Sequence, residues 1–268
     1  LILSESQKAL KDIRKLIADT NKAKMDASLK NDLLHKLALK EEQLQEVSFV
    51  SSGLKVETTI NSGVLTRGER TNVSMTITNE GDGMIKHIEP TLLAPKKWKI
   101  STKDKIKHLK PNESKTITFN VTVPNDEEYF HPYYESNLQS KITFKENGTK
   151  TETVLELDNT VAVLPEISLS SNPVNLMINT ADVQEQVPVT VSVKNYFNGE
   201  NIASVSLELP DGWTSDPEQI DVKFSERFNE KEVDFIIHPA RLVEEGNFSI
   251  DVLATSHGKT FDNTVQEI

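Results

Sequence analysis

The spacing of apolar residues changes once along this chain, from a helical period to a strand period, near residue 48. Before that point Leu10, Ile13 and Ile17 fall on one helical stripe, with Ala9 and Leu16 beside it. Ser4-x-x-Gln7 has the form of a capping box, and Asp19-Thr20-Asn21 interrupts the pattern with stop and cap residues. A second stripe runs through Met25, Leu29, Leu33, Leu37, Leu44 and Val47. The pattern predicts a helical hairpin over residues 1–47. Each helix is apolar on one face only, so the hairpin either packs within the chain or serves as a stalk or docking surface for a preceding domain.

Beyond Ser48 the period becomes 2. Leu54, Val56, Thr58 and Ile60 alternate with polar residues, as do Val73, Met75 and Ile77. Further strands are expected around Ile85–Leu93, Thr116–Val123, Lys141–Phe144 and Val161–Val163, with turns at Gly81-Asp82-Gly83 and Asn147-Gly148. Leu164-Pro165 marks a boundary. The strand pattern then restarts at Ile167 and Leu169 and at Val174, Leu176 and Ile178. It continues through Val189–Val193, Val205–Leu209, Ile220–Phe224, Val233–Ile237 and Phe248–Ala254. Short alternating strands with turn signals between them predict antiparallel sandwiches rather than a parallel sheet.

The second half repeats the first. Leu92-Leu93-Ala94-Pro95-Lys96-Lys97-Trp98 returns as Leu207-Glu208-Leu209-Pro210-Asp211-Gly212-Trp213, and these are the chain's 2 tryptophans. Pro95, Trp98 and Pro124 correspond to Pro210, Trp213 and Pro239. The strands ending at Asn79 and Asn195 correspond as well, one residue out of phase. A period of about 115 residues suits two tandem domains rather than a solenoid. The expected fold is therefore mainly β: two tandem immunoglobulin-like antiparallel β-sandwiches, residues 48–164 and 165–268, preceded by an α-helical hairpin. Each Trp follows a strand-ending Pro by three positions. It reads as a packing plug whose indole N–H reaches a backbone carbonyl, with ligand stacking as the alternative.

Charge narrows the partners. The chain carries 30 Lys and Arg against 41 Asp and Glu, a net charge of −11, and the excess lies beyond residue 47. An acidic surface of this kind argues against phosphate-backbone binding, so no nucleic-acid partner is expected. With no cysteine there are no disulfides, thiolate metal sites or cysteine nucleophiles. No apolar run approaches the roughly 18 residues of a membrane span. Leu1-Ile2-Leu3 has neither an initiator Met nor a signal-peptide flank, so the chain reads as a fragment of something longer. Sequons at Asn72, Asn112, Asn120, Asn147 and Asn247 are of the number that strands rich in Thr and Ser supply by chance.

Motifs for catalysis are lacking. The six histidines form neither His-Glu-x-x-His nor an i, i+4 pair, and there is no nucleophile elbow, P-loop or dinucleotide turn. No catalytic, cofactor or metal residue is assigned, and the acidic turns read as turns rather than calcium loops. One cluster stands out: Tyr129, Phe130, His131, Tyr133 and Tyr134, in a stretch that the second copy lacks. Grouped aromatics of this kind pack within the chain, contact another domain or stack on sugar rings.

Leu65-Thr66-Arg67-Gly68-Glu69-Arg70-Thr71-Asn72-Val73, Asn79-Glu80-Gly81, Pro95-Lys96-Lys97-Trp98, Leu109-Lys110-Pro111-Asn112-Glu113-Ser114 and Val121-Thr122-Val123-Pro124 together resemble the NPCBM-associated NEW domain. That family is an immunoglobulin-like sandwich appended to α-galactosidases and other carbohydrate-active enzymes. Its usual Pro-Gly pairs are Arg67-Gly68 and Pro111-Asn112 here. The wider order is a helical segment, a NEW-like sandwich, a Tyr/Pro-rich loop and a second sandwich with Leu-Pro-x-Gly-Trp. It resembles the C-terminal, non-catalytic region of large bacterial PIG-L/LmbE-family deacetylases. The resemblance implies a zinc-dependent N-acetylglucosaminyl deacetylase whose catalytic domain, with its Ala-His-Pro-Asp-Asp motif, lies N-terminal to this fragment. Both His-Pro pairs here lack the following Asp-Asp, so zinc belongs only to that absent domain and this fragment is not an enzyme. The expected partners are that catalytic domain and cell-envelope glycan, at an extracellular or cell-surface location. The alternative is a stand-alone surface binding or adhesion module recognising glycans or protein.

Overall fold

The computed structural model describes residues 2–131, 133, 138–146, 148–157, 159–175, 177–179, 183, 185–241 and 246–262. Two helices, α1 (Ile2–Lys22) and α2 (Ala27–Ser52), open the chain. Asp19-Thr20-Asn21 does not break α1 as the sequence suggested. Thr20 is buried, and the Asn21 amide donates to the Ile17 carbonyl at 3.1 Å, so Asn21 finds a partner inside the helix. The cap lies later, at Asp26, whose carboxylate accepts from the N–H groups of Ser28 (2.9 Å) and Leu29 (3.1 Å). At its other end α2 runs past Val47 to Gly53, which closes it in the left-handed region at φ 71°. A Cβ there would stand 2.5 Å from the Gly81 nitrogen, so backbone conformation and close approach both require glycine.

Among the described residues eighteen strands follow. In the first sandwich they are β1 (Leu54–Ile60), β3 (Arg70–Asn79), β4 (Ile85–Leu93), β5 (Lys99–Ser101), β6 (His108–Leu109), β7 (Ser114–Thr122), β8 (Gln139–Glu146) and β9 (Thr149–Glu156). In the second they are β11 (Ile167–Asn172), β12 (Val187–Asn195), β13 (Asn201–Glu208), β14 (Thr214–Asp216), β15 (Gln219–Phe224), β16 (Glu230–His238), β17 (Asp251–Ser256) and β18 (Lys259–Asp262). The remaining two, β2 (Val64–Thr66) and β10 (Ala162–Leu164), pair in parallel with Val64 opposite Ala162.

The duplication is complete at the level of topology. Sheet β1-β3-β7-β5 has its counterpart in β11-β12-β16-β14, and β6-β4-β8-β9 in β15-β13-β17-β18. Leu54 sits opposite Asn79 as Ile167 sits opposite Asn195. The four-on-four order corresponds to the two sheets of an immunoglobulin-like sandwich. The alternating residues Val73, Met75 and Ile77 are fully buried, and Val191 and Val193 fill the equivalent places. In the second sandwich both sheets feed one core, with Phe235 and Ile237 facing Ala203, Val205 and Val252.

Two expectations shift. Among the described residues no strand forms around Val174 and Ile178: Pro173 cannot donate to a ladder, β11 stops at Asn172, and Val174 is exposed. Leu176 lies outside the described residues, as does Asn147 of the expected Asn147-Gly148 turn. Conversely β9 and β18 carry few alternating apolar residues and pair only as outer arms of hairpins. The turn into β18 is His257-Gly258, with φ 49° and 72°, the geometry of a two-residue hairpin loop.

By the density of contacts the chain forms two units. One holds Leu1–Gly63, Arg70–Thr122 and Ser136–Val161; the other holds Val64–Glu69, Val123–Glu135 and Ala162–Ile268. In the first unit the helices cover the outer edge of β9. The Arg14 guanidinium donates to the Lys150 carbonyl and, at 2.6 Å, to Glu41. The Gln45 side-chain oxygen accepts the Glu152 N–H at 3.0 Å, and the Gln7 amide donates to Thr151 Oγ1. An open strand edge is thereby capped by side chains. Leu10 and Leu37 are buried here, whereas Leu29 and Val47 of the expected stripe are exposed. In the second unit β2 is held by a buried ion pair. Arg227 donates to both Glu69 carboxylate oxygens at 2.6 Å and to the Val64 carbonyl.

Candidate binding surfaces

Both tryptophans sit on the same turn. The Trp98 N–H donates to the Pro95 carbonyl at 3.0 Å, and Trp213 to Pro210 at 3.1 Å. Their side chains then diverge. Trp98 is 6% exposed and packs as a plug, but its indole N–H finds no backbone carbonyl and has no partner among the described residues. Trp213 is only half-buried. It lines a cleft of about 370 Å³ in the second sandwich with Phe248, whose ring centroid lies 6.0 Å away at 40°. Val174, Ile178 and Leu207 add apolar wall, and Ser171, Asn175 and Asn247 supply polar groups. An apolar wall with a few convergent amides is the usual make-up of a small-ligand cleft. Sequence reasoning treated both Trp residues alike because the signal it had, the Pro-x-x-Trp turn, is the same in both.

The residues ending β3 and β12 form matched buried clamps. Asn79 donates from Nδ2 to the carbonyls of Gly83 (2.7 Å) and Leu109 (3.1 Å), while its Oδ1 accepts the Gly81 N–H at 3.0 Å. Asn195 donates to the carbonyls of Phe197 (3.2 Å) and Glu226 (2.9 Å). Its Oδ1 accepts from the Phe197 N–H (3.2 Å) and the Asn201 amide (3.0 Å). Each clamp residue also accepts at its own carbonyl from a residue in the left-handed region: Asn112 at φ 60° onto Asn79, and Phe228 at φ 68° onto Asn195. These are structural residues: they fix the turns that follow β3 and β12, at the end of each sandwich opposite its Trp.

The five aromatic candidates do not share one environment. Tyr129 is half-buried beneath the Arg67 guanidinium, with Cζ 3.8 Å from the ring centroid, and Arg67 Nε donates to the Glu127 carbonyl at 2.6 Å. Gly68 makes this turn possible, because at φ 79° a Cβ would come within 2.4 Å of the Asn125 side chain. Phe130 is also half-buried, and its N–H donates to the Val163 carbonyl of β10 at 2.8 Å. His131 and Tyr133 are exposed, with ring centroids 5.3 Å apart and Tyr133 88% open to solvent. Tyr134 lies outside the described residues. The structure thus brings Tyr129 and Phe130 into packing and leaves the His131–Tyr133 pair facing outward.

Beside Tyr129 a small cavity of about 290 Å³ is walled by Arg67, Asn125, Glu166 and Lys259. Glu166 is 4% exposed and accepts from Lys259 Nζ, and its other oxygen lies 3.0 Å from His257 Nδ1. Its charge is thereby matched inside the unit. Among the described residues no three His, Asp or Glu side chains stand where they could hold a metal ion, and no helix is long and apolar enough to cross a membrane.

The fold makes this a protein of tandem immunoglobulin-like sandwiches. Within it, residues 65–143, from β2 into β8, match the NPCBM-associated, NEW3 domain of alpha-galactosidase. None of the curated proteins matches the chain. Among solved structures it is similar to the secreted serine protease VesC from Vibrio cholerae, at 11% identity and a TM-score of 0.31, covering 82% of this chain and 54% of that one. It is also similar to a DUF4785 family protein from Legionella pneumophila, at 12% identity and a TM-score of 0.27, covering 79% of this chain and 56% of that one. The chain spans little more than half the length of either protein.

Proposed function

We propose that this chain is a non-catalytic accessory region of a carbohydrate-active enzyme, presenting that enzyme to a glycan at or outside the cell surface. The observation that carries the reading is the match of residues 65–143 to a domain named for its place in alpha-galactosidase. The outward-facing pair of His131 and Tyr133 supports it, because an exposed aromatic face is what a sugar ring stacks on. The narrower form, a zinc-dependent PIG-L-type N-acetylglucosaminyl deacetylase, rests on the order of helices, sandwiches and loop alone. An Ala-His-Pro-Asp-Asp stretch encoded upstream of Leu1 would support it, and an upstream sequence without one would remove it. A stand-alone surface adhesion module is the alternative, and it too would use the exposed aromatic pair.

The test is calorimetric titration of the chain with chitooligosaccharides and co-sedimentation with insoluble peptidoglycan. Binding is expected, and Tyr133→Ala is expected to weaken it about fivefold, the value of one aromatic contact of about 1 kcal/mol. Tyr133 is so exposed that this substitution leaves the fold intact. Glycan binding that is unchanged in Tyr133→Ala would remove the aromatic pair from the site.

A further inference from the structure

The first sandwich carries a basic edge inside an acidic protein. Between Lys96 and Lys110 there are seven lysines and His108 against one acid, Asp104, in a chain of net charge −11. All seven lysines are exposed. The topology gathers them. β5 is the last strand of one sheet and β6 the last strand of the other, and residues 102–107 join the two directly. The segment therefore closes one side of the sandwich, across the sheets from β1 and β9, where the helices pack. The single acid of the segment is engaged: the exposed Asp104 carboxylate accepts the Thr118 N–H of β7 at 2.9 Å. At the β6 end, Lys86 lies opposite His108, and the His87 N–H donates to the Lys107 carbonyl at 2.8 Å. Lys86, His87, Lys107 and His108 border a shallow depression of about 380 Å³, with Glu89 as its one acid.

Lysines on an edge strand have an ordinary role, which is to keep the edge from pairing with another chain. The duplicate allows that role to be set apart from a further one. The same stretch of the second sandwich, Asp211–Glu226, spans the equivalent edge strands β14 and β15. It holds five acids against one lysine. Carboxylates protect that edge with the same topology, so neither the fold nor edge protection demands positive charge. The sign is a property of the first copy alone.

We propose that this edge is a binding surface for an anionic polysaccharide, one carrying carboxylate or sulfate groups along its length. Seven like charges on one segment repel one another, and a polyanion lying along the edge relieves that repulsion over its whole length. The composition favours a polysaccharide over nucleic acid. The patch contains no arginine for bidentate base or phosphate recognition, and its one large aromatic side chain, Trp98, is buried where no base can stack on it. The choice of polysaccharide among polyanions rests on the glycan-directed reading above.

The test is affinity electrophoresis of the full chain at low salt through gels containing dextran sulfate, polygalacturonate or neutral dextran, with a duplex DNA oligonucleotide measured in parallel. Retardation by dextran sulfate or polygalacturonate, but not by neutral dextran, is expected, and which of the two acts tells sulfate from carboxylate recognition. Lys103→Ser, Lys105→Ser and Lys107→Ser together should weaken it at least about tenfold, and raising the salt should abolish it. Removing the same number of exposed charges from α1, with Lys8→Ser, Lys11→Ser and Lys15→Ser, should leave it unchanged. The proposal is overturned by no retardation with either polyanion, by an equal loss in the α1 variant, or by DNA binding as tight as polysaccharide binding. Chitooligosaccharide or peptidoglycan binding that persists while both polyanions fail would remove this inference and leave the accessory reading standing.

Discussion

Asn195→Ala is expected to have a large effect on the second sandwich. Asn195 has no exposed surface and makes four side-chain hydrogen bonds, two donated and two accepted. Alanine leaves the carbonyls of Phe197 and Glu226, the Phe197 N–H and the Asn201 amide without that partner. At about 1 kcal/mol for each bond, the loss is about 4 kcal/mol, a large part of the 5–15 kcal/mol that holds a domain folded. Asn79→Ala breaks three bonds and should cost the first sandwich about 3 kcal/mol. Trp213 reports on the second sandwich if Trp98→Phe supplies the background, and the reverse exchange reports on the first. In urea, with a slope of about 1.5 kcal/mol per molar, Asn195→Ala should lower the Trp213 midpoint by about 2–3 M. Asn195→Asp keeps the accepting oxygen but sets a buried charge against two carbonyls, so it should do no better. A shift below about 0.5 M for Asn195→Ala would refute the reasoning, because the four bonds would then contribute almost nothing net.

Two further outcomes are expected. Glu69→Gln leaves Arg227, with only 8% of its side chain exposed, facing no charge, and should destabilise the second unit by about 3–5 kcal/mol. Adding Arg227→Met should recover part of that loss in the same urea assay, whereas strictly additive costs would show that the pair is not coupled. The Glu152 carboxyl is held below its ordinary value of 4.5 by the hydrogen bond from Lys141, which outweighs burial. A lowered carboxylate contributes stability above its unfolded value, and that contribution is lost as the pH falls through the folded value. Melting temperature followed from about pH 6 to pH 3 should therefore fall less steeply in Lys141→Met, and an unchanged slope would contradict this.

The parts of the fold that were legible in the sequence are those written in burial. Val73, Met75 and Ile77, and Val189 through Val193, alternate because one face of each strand meets a core, and the repeat of Pro-x-x-Trp located the same turn twice. Strands held mainly by backbone pairing left no such trace. In β9 the residues are Thr149-Lys150-Thr151-Glu152-Thr153 at the start, and the covering helices contact that strand with polar side chains. The helix break was misplaced because Asp19-Thr20-Asn21 has the composition of a cap, while capping depends on which side chain reaches free N–H groups, and that is Asp26. Among the candidate site residues, aromatic clustering found the segment but could not divide it. That Tyr129 packs depends on Arg67, far away in sequence. The basic edge was hidden in a net charge of the opposite sign, and it could have been found by comparing charge between the two copies position by position.

The ion pair between Glu69 and Arg227 joins residues 158 positions apart. Closing a loop of that length costs about 4–5 kcal/mol in chain entropy, more than the pair can return before its surroundings exist. The hairpins of the second sandwich, such as β17 with β18, close over a few residues and can form first. The short parallel pair of β2 and β10, which Glu69 and Arg227 hold, is then a late addition to hairpins already built. A late contact of this kind does little to guide the chain to its fold, and its weight falls on the rate at which the finished unit opens.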